Sequence, residues 1–212
     1  MARTARHTVL LMRHPETPAN TDRFFSGRLD IGITPRGEKM RERAVSAGVA
    51  FAPDRVWTSP LRRCHGIADA VAEQLGISSV PNDNLIEIDF GELEGTTFAP
   101  GWISGGVFPW PVDEFGVSHP SHGAESFEHA FERAYALFDQ LRPLEGRTLC
   151  VTHGGIMRCI MGALYGMPKD RFWYMNIDNV SSIALTCDGE RICLDAFGLT
   201  PEEVVDRYAG RR

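Results

Sequence analysis

The sequence predicts an α/β fold, a three-layer α/β/α sandwich around a mostly parallel central sheet. Two apolar runs lead to that expectation, Thr8 to Met12 and Thr148 to Thr152. Both are aliphatic and β-branched without polar alternation, the pattern of strands covered on both faces. The third observation is order: strand-like runs alternate with helical patterns, several of which open on a Thr-Pro or Ser-Pro pair, and that alternation builds parallel sheets.

Taken in order, the first strand ends in Arg13 and His14, and the stretch from there to Ile33 reads as a long loop rich in Pro, Asn, Asp and Gly. Thr34-Pro35 opens a helix through Met40, Ala44, Val45 and Ala47, with Gly48 as its expected end. Arg55 to Thr58 is a short strand, and Ser59-Pro60 opens a second helix through Leu61, Ile67, Val71 and Leu75, closed by Gly76. Asn84 to Ile88 reads as a further extended segment carrying Glu87 at its end. Residues 96–122 form an irregular excursion or lid, with Trp102, Phe108, Trp110 and Phe115 either walling a pocket or packing onto the body. Phe127, Phe131, Ala134, Phe138 and Leu141 mark an amphipathic helix whose apolar face is core. After the strand at 148–152 comes His153-Gly154-Gly155 and a helix with Ile156, Ile160 and Leu164. Asp188-Gly189 joins two strands as a hairpin, and a helix runs from Pro201 to Tyr208. One domain over residues 1–212 is expected.

Composition narrows the function. The 212 residues are 43% hydrophobic and 24% charged, enough for a core without staples, and the net charge of −6 argues against general binding to nucleic acid or anionic membranes. No run approaches the ~18 apolar residues of a membrane span. The cysteines Cys64, Cys150, Cys159, Cys187 and Cys193 have no paired short spacing, so reduced thiols and a cytoplasmic location are expected. Cys64 and Cys150 read as small core residues.

In open α/β sheets, ligands bind beyond the carboxyl ends of the strands. Two histidines, His14 and His153, fall at that edge, with Arg13, Arg28, Arg62, Arg63 and Glu87 able to converge on it. Histidine can be a nucleophile, guanidinium forks match phosphate oxygens, and a carboxylic acid can protonate a leaving oxygen. The set suits phosphoryl transfer, and the absence of a glycine-rich P-loop argues against a nucleotide-dependent kinase.

Five blocks in order carry a resemblance: Arg13-His14-Pro15-Glu16-Thr17 with Asn20; Gly27-Arg28-Leu29-Asp30 with Thr34 and Gly37; Ser59-Pro60-Leu61-Arg62-Arg63-Cys64; Leu85-Ile86-Glu87-Ile88-Asp89-Phe90-Gly91 with Glu94-Gly95; and Val151-Thr152-His153-Gly154-Gly155. The chain resembles the histidine phosphatase superfamily, in its phosphoglycerate-mutase-like branch. The resemblance implies a phosphomonoesterase acting on a small phosphorylated substrate through a phosphohistidine on His14. It implies that Arg13, Arg63 and His153 hold the phosphoryl group, that Glu87 is the acid, and that Asn20, Arg28 and Gly154 make supporting contacts. Arg63 is selected over Arg62, and Glu87 over Asp89, by the same match. No cofactor and no metal are implied, so His119 and His122 read as loop residues. Burial is expected to raise the Glu87 pKa so that it starts protonated. Dimers are common among such relatives, so a homodimer is compatible with the sequence.

Pro15 stands where relatives carry glycine, and Gly123-Ala124-Glu125-Ser126 replaces a shorter Gly-Glu-Ser. Two other readings share the motifs. A bisphosphoglycerate-dependent mutase would retain the phosphoryl group, but such mutases show Glu-Arg-His where this chain has Glu87-Ile88-Asp89. A non-catalytic phospholigand-binding module is supported only by Pro15.

Overall fold

Val9 and Leu11 project to one side of the first strand and Leu10 and Met12 to the other, and all four are fully buried. That period of two is why the run shows no polar alternation: each face has its own layer of helices. The computed structural model describes residues 7–97, 110–189 and 191–211. The strands are β1 (His7–Arg13), β2 (Arg55–Thr58), β3 (Ser79–Pro81), β4 (Gly146–Thr152), β5 (Ser182–Asp188) and β6 (Arg191–Leu199). The helices are α1 (Pro18–Asp22), α2 (Pro35–Phe51), α3 (Arg62–Leu75), α4 (Phe127–Leu141), α5 (Gly154–Leu164) and α6 (Pro201–Tyr208).

The strands form one sheet in the order β3-β2-β4-β1-β5-β6. The first four are parallel, β5 runs antiparallel to β1, and β6 returns as its hairpin partner. Helices α4 and α5 cover Val9, Leu11 and Cys150, while α2, α3 and α6 cover Leu10, Met12, Leu149 and Val151. Each fully buried Leu, Ile or Phe in these layers contributes about 1.5–3 kcal/mol of burial free energy. The expected sandwich and its mostly parallel sheet are therefore what the chain forms. None of the helices among the described residues is long and apolar enough to cross a membrane.

Four local expectations change. The loop after His14 contains the short helix α1, because Asn20 Oδ1 accepts from the Thr17 N–H at 3.0 Å and closes a turn. Gly48 does not end α2; a Cβ there would stand 2.6 Å from Val71 Cγ2, so the glycine lets α2 and α3 approach, and Ala52 in the left-handed region ends the helix. Ser59-Pro60 does not start α3, which begins at Arg62; the Ser59 hydroxyl oxygen accepts from the Leu61 N–H at 3.3 Å and from His153 at 2.6 Å. The extended segment expected at Asn84 to Ile88 is instead a 3₁₀ turn over Asp83–Leu85 followed by irregular chain, initiated by the Asn82 side chain accepting from the Asn84 N–H. The strand on that side is β3.

Candidate active site

Parallel β1 and β4 deliver their last residues side by side. The His14 N–H donates to Thr152 O at 2.9 Å, continuing the ladder by one step, and Asn179 Nδ2 donates to His14 O at 3.1 Å. With its backbone fixed at both groups, His14 is 4% exposed. Its Nδ1 lies 2.7 Å from Pro15 O, and because a carbonyl only accepts, Nδ1 carries the hydrogen and Nε2 keeps its lone pair. Burial holds the His14 pKa well below 6.5, with the charges of Arg13 and Arg63 acting in the same direction. The ring is therefore neutral at neutral pH. Pro15 supplies this orienting bond through its carbonyl, which proline retains.

His153 caps α5 and is fully buried, its ring centroid 5.2 Å from that of His14. Arg63 Nε donates to its Nδ1 at 3.1 Å, so its hydrogen sits on Nε2 and is donated to Ser59 Oγ at 2.6 Å. Burial, then the charges of Arg63 and Arg13, keeps this ring neutral as well. Arg63 also donates to Leu29 O at 2.8 Å and Gly27 O at 2.6 Å, which ties the loop before α2 to the site. The neighbouring Cys64 is buried, and that burial pushes its thiol up to about 12, leaving it inert.

Glu87 is 9% exposed and sits at the amino end of α5. Its Oε2 accepts from the Gly155 N–H at 3.0 Å and its Oε1 from the Ile156 N–H at 2.8 Å. The helix terminus has spare donors and positive partial charge there. A Cβ on Gly155 would lie 2.5 Å from Glu87 Oε1, so the second glycine of the block is what lets the carboxyl reach the helix.

A cavity of about 300 Å³ opens between these elements, bordered by Arg13, Asn20, Glu87, Gly154, Arg158 and Asn179, with Phe25, Phe90 and Trp173 as apolar wall. Arg13 donates to Ile177 O at 2.6 Å, while its buried Nε has no hydrogen-bond partner among the described residues. Burial, with the neighbouring charge of Arg158, lowers its pKa to about 10. Arg158 donates to Met175 O at 2.8 Å and Gly154 O at 3.1 Å, and its guanidinium lies 5.2 Å from the centre of the Trp173 ring. A Cβ on Gly154 would meet Arg13 Nε at 3.1 Å and Arg158 Nη1 at 3.2 Å, so both guanidiniums close on one glycine. Arg13 keeps an unused donor, and Arg158 brings a second positive charge to the same cavity, an arrangement that favours anionic ligands.

The model of the histidine phosphatase superfamily (branch 1) matches residues 9–200. The chain belongs to that superfamily. It is 26% identical over 199 residues to phosphoserine phosphatase 1 of Hydrogenobacter thermophilus, covering 91% of this chain and 92% of that protein. It is 29% identical over 191 residues to the 2,3-bisphosphoglycerate-dependent phosphoglycerate mutase of Parvibaculum lavamentivorans, covering 85% of this chain and 90% of that one. The structure of phosphoserine phosphatase from Entamoeba histolytica in complex with 3-phosphoglyceric acid superposes with a TM-score of 0.74 at 22% identity, over 93% of this chain and 99% of that chain. That last likeness is one of fold.

In this histidine phosphatase chain, then, the fold brings together His14, Arg13, Arg63, Glu87, His153 and Gly154; of these Arg13, Glu87 and Gly154 border the cavity, with Asn20, whereas His14, Arg63 and His153 do not. Arg28 is placed differently: its guanidinium turns to Asp89 at 3.4 Å and Glu125 at 3.5 Å, drawn by two carboxylates, and does not border the cavity. Asp89 is likewise outside it, accepting from the Gly91 N–H. The second half of the first motif is scaffold, since Glu16 accepts from Thr34 Oγ1 at 2.8 Å and ties the loop to the start of α2. Arg62 is exposed, as expected of a surface residue. His119 pairs with Asp113 and His122 lies near Glu92; no cluster of three metal-capable side chains occurs among the described residues. Trp110 is buried and stacks on Phe127, whereas Phe115 is 84% exposed; Trp102 and Phe108 lie outside the described residues. Sequence reasoning missed Arg158 and Asn179. Arg158 could have been found, because it stands one helical turn after Gly154 and so shares its face. Asn179 lies in an irregular stretch that gives no periodic signal.

Proposed function

We propose that His14 Nε2 attacks the phosphorus of a small phosphomonoester, breaking the bond to the alcohol oxygen, while Glu87 gives that oxygen a proton. Water then attacks the phosphohistidine, Glu87 takes a proton from it, and inorganic phosphate leaves. The observation that carries this reading is the Nδ1 hydrogen bond to Pro15 O at 2.7 Å, which leaves Nε2 as the free lone pair of a buried, neutral ring. Arg13 and Arg63 supply positive charge around the transferring group, and the neutral His153 fixes Arg63 beside His14. Trapping a labelled, acid-labile and base-stable phosphoryl adduct that disappears in His14→Ala tests it. Full turnover by His14→Ala would overturn it.

The substrate class follows from the two guanidiniums. Arg13 and Arg63 account for one anion, the phosphate, and Arg158, which borders the same cavity as Arg13, offers positive charge to a second. A phosphomonoester whose alcohol bears a carboxylate fits that charge pattern, and phosphoserine and phosphoglycerate, named for the relatives, are such molecules. Residues 1–212 are read as one domain, and five cysteines without paired short spacing support a cytoplasmic setting. A panel of phosphoesters, scored for inorganic phosphate and for isomerised phosphoglycerate, tests substrate and reaction together. Isomerisation without phosphate release would replace hydrolysis by the mutase reading.

A further inference from the structure

The Glu87 side chain is held by α5, yet the chain that carries it, residues 84–89, has no regular secondary structure after the 3₁₀ turn. Its backbone is instead gripped by a buried ion pair that takes no part in the reaction described above. Arg133, on α4, donates through Nε and Nη2 to the two carboxylate oxygens of Glu125 at 2.7 and 2.9 Å. Its third arm donates to Ile86 O at 2.8 Å and to Asn84 O at 3.4 Å. Glu125 accepts from the Asp89 N–H at 3.2 Å, and its own N–H donates to Asp89 O at 2.8 Å. The pair therefore holds the peptide on both sides of Glu87. The Glu125 side chain is 3% exposed and that of Arg133 10%, so neither is a solvated surface charge. His129 also donates to Glu125 at 2.6 Å, and Arg28 lies 3.5 Å from it. On the far side, Thr152 Oγ1 donates to Leu85 O at 2.6 Å, which ties the same stretch to the end of β4, just before His153.

We infer that Arg133 and Glu125 are positioning residues for the proton donor: they fix the backbone of residues 84–89 so that the Glu87 carboxyl stays aligned on the alcohol oxygen as it leaves. The inference rests on Glu87 being that donor. Its consequence is specific to chemistry that needs a proton. A phosphoester of a weakly acidic alkyl alcohol requires the donor, whereas p-nitrophenyl phosphate expels a stable phenolate without one.

The test compares kcat/KM for an alkyl phosphomonoester and for p-nitrophenyl phosphate in Arg133→Gln, Glu125→Gln and Glu87→Gln. General acid catalysis is worth about 10²–10⁴-fold. Arg133→Gln and Glu125→Gln, which misplace the donor without removing it, are expected to lose about 30-fold on the alkyl ester, short of the full general-acid contribution, and less than about 3-fold on the aryl ester. Retained aryl turnover also shows that the variant is folded, and if Arg133→Gln does not fold, Glu125→Gln, which keeps the shape of its carboxyl, decides. Equal losses on both esters, or no loss on either, in the folded variants would overturn the inference. Glu87→Gln separates the two levels: selective loss there without selective loss in the pair sinks only the positioning role, and no selective loss in Glu87→Gln removes the donor reading and the inference with it.

Discussion

β1 begins at one buried histidine and is followed immediately by another. His7 is fully buried, its Nε2 lies 2.8 Å from Thr148 Oγ1, and burial lowers its pKa. His14 is 4% exposed and shifted in the same direction for the same leading reason. Burial and a depressed pKa therefore do not distinguish a structural histidine from the proposed nucleophile. What differs is the company. His7 has Arg55 and Asp54 nearby, charges of opposite sign, at the amino edge of the sheet. His14 has Arg13 and Arg63, a second neutral histidine at 5.2 Å, and a carbonyl that fixes which nitrogen is free. The carboxyl edge of a parallel sheet gathers the loops, and with them these partners.

The largest test of this contrast is His14→Ala, expected to lose turnover by about 10⁴-fold or more because nothing else in the site can form the covalent intermediate. A stopped assay on any good phosphoester measures it, and a loss under about tenfold would show that the two ends of β1 are not functionally distinct. Next, Glu87→Gln should slow alkyl phosphoesters by about 10²–10³-fold, since the leaving alkoxide loses its proton source. Replacing Arg158 by Met should raise KM for a carboxylate-bearing phosphoester by about tenfold or more, the value of a charged hydrogen bond, with a smaller loss on a simple aryl phosphate. Equal effects on both would mean that Arg158 does not read a second anion.

The smallest expected effect is on stability. His7, His14 and His153 all have pKa values lowered by folding. Below the unfolded value near 6.5 the unfolded chain binds protons that the folded chain refuses. Stability is therefore greatest above that pH and falls as the pH drops through it, by up to about 1.4 kcal/mol per unit for each histidine. Urea midpoints at pH 7.5 and 5.5 measure the slope. His7→Leu should reduce that slope while leaving kcat within about twofold, because its charge no longer titrates and it does not touch the site. A fall in kcat as large as that of an active-site variant would erase the distinction between the two ends.

Much of the site was legible because its residues follow directly from strand ends. Arg13, His14 and His153 come immediately after runs that read as buried strands; the close approach of Arg13 to Gly154 and of Glu87 to Gly155 came only with the structure. Helix boundaries were less legible where a residue had two possible uses. Gly48 looked like a terminus but serves a helix contact, and Ser59 looked like a cap but receives the His153 hydrogen. Arg28 shows the same ambiguity at longer range, since a guanidinium in a loop is drawn to phosphate or carboxylate according to which the fold places nearest.

By itself, then, the sequence determined the two-sided burial of the central strands, the layering of helices and the sheet edge at which two histidines and an arginine gather, because these depend on periodicities and chain order that are local. Only the tertiary structure decided the free nitrogen of His14, the pairing of Arg13 with Arg158 across Gly154, and the turn of Arg28 towards Asp89 and Glu125. Those are contests between partners far apart in the chain, and a hydrogen bond or a charge is assigned by distance in space.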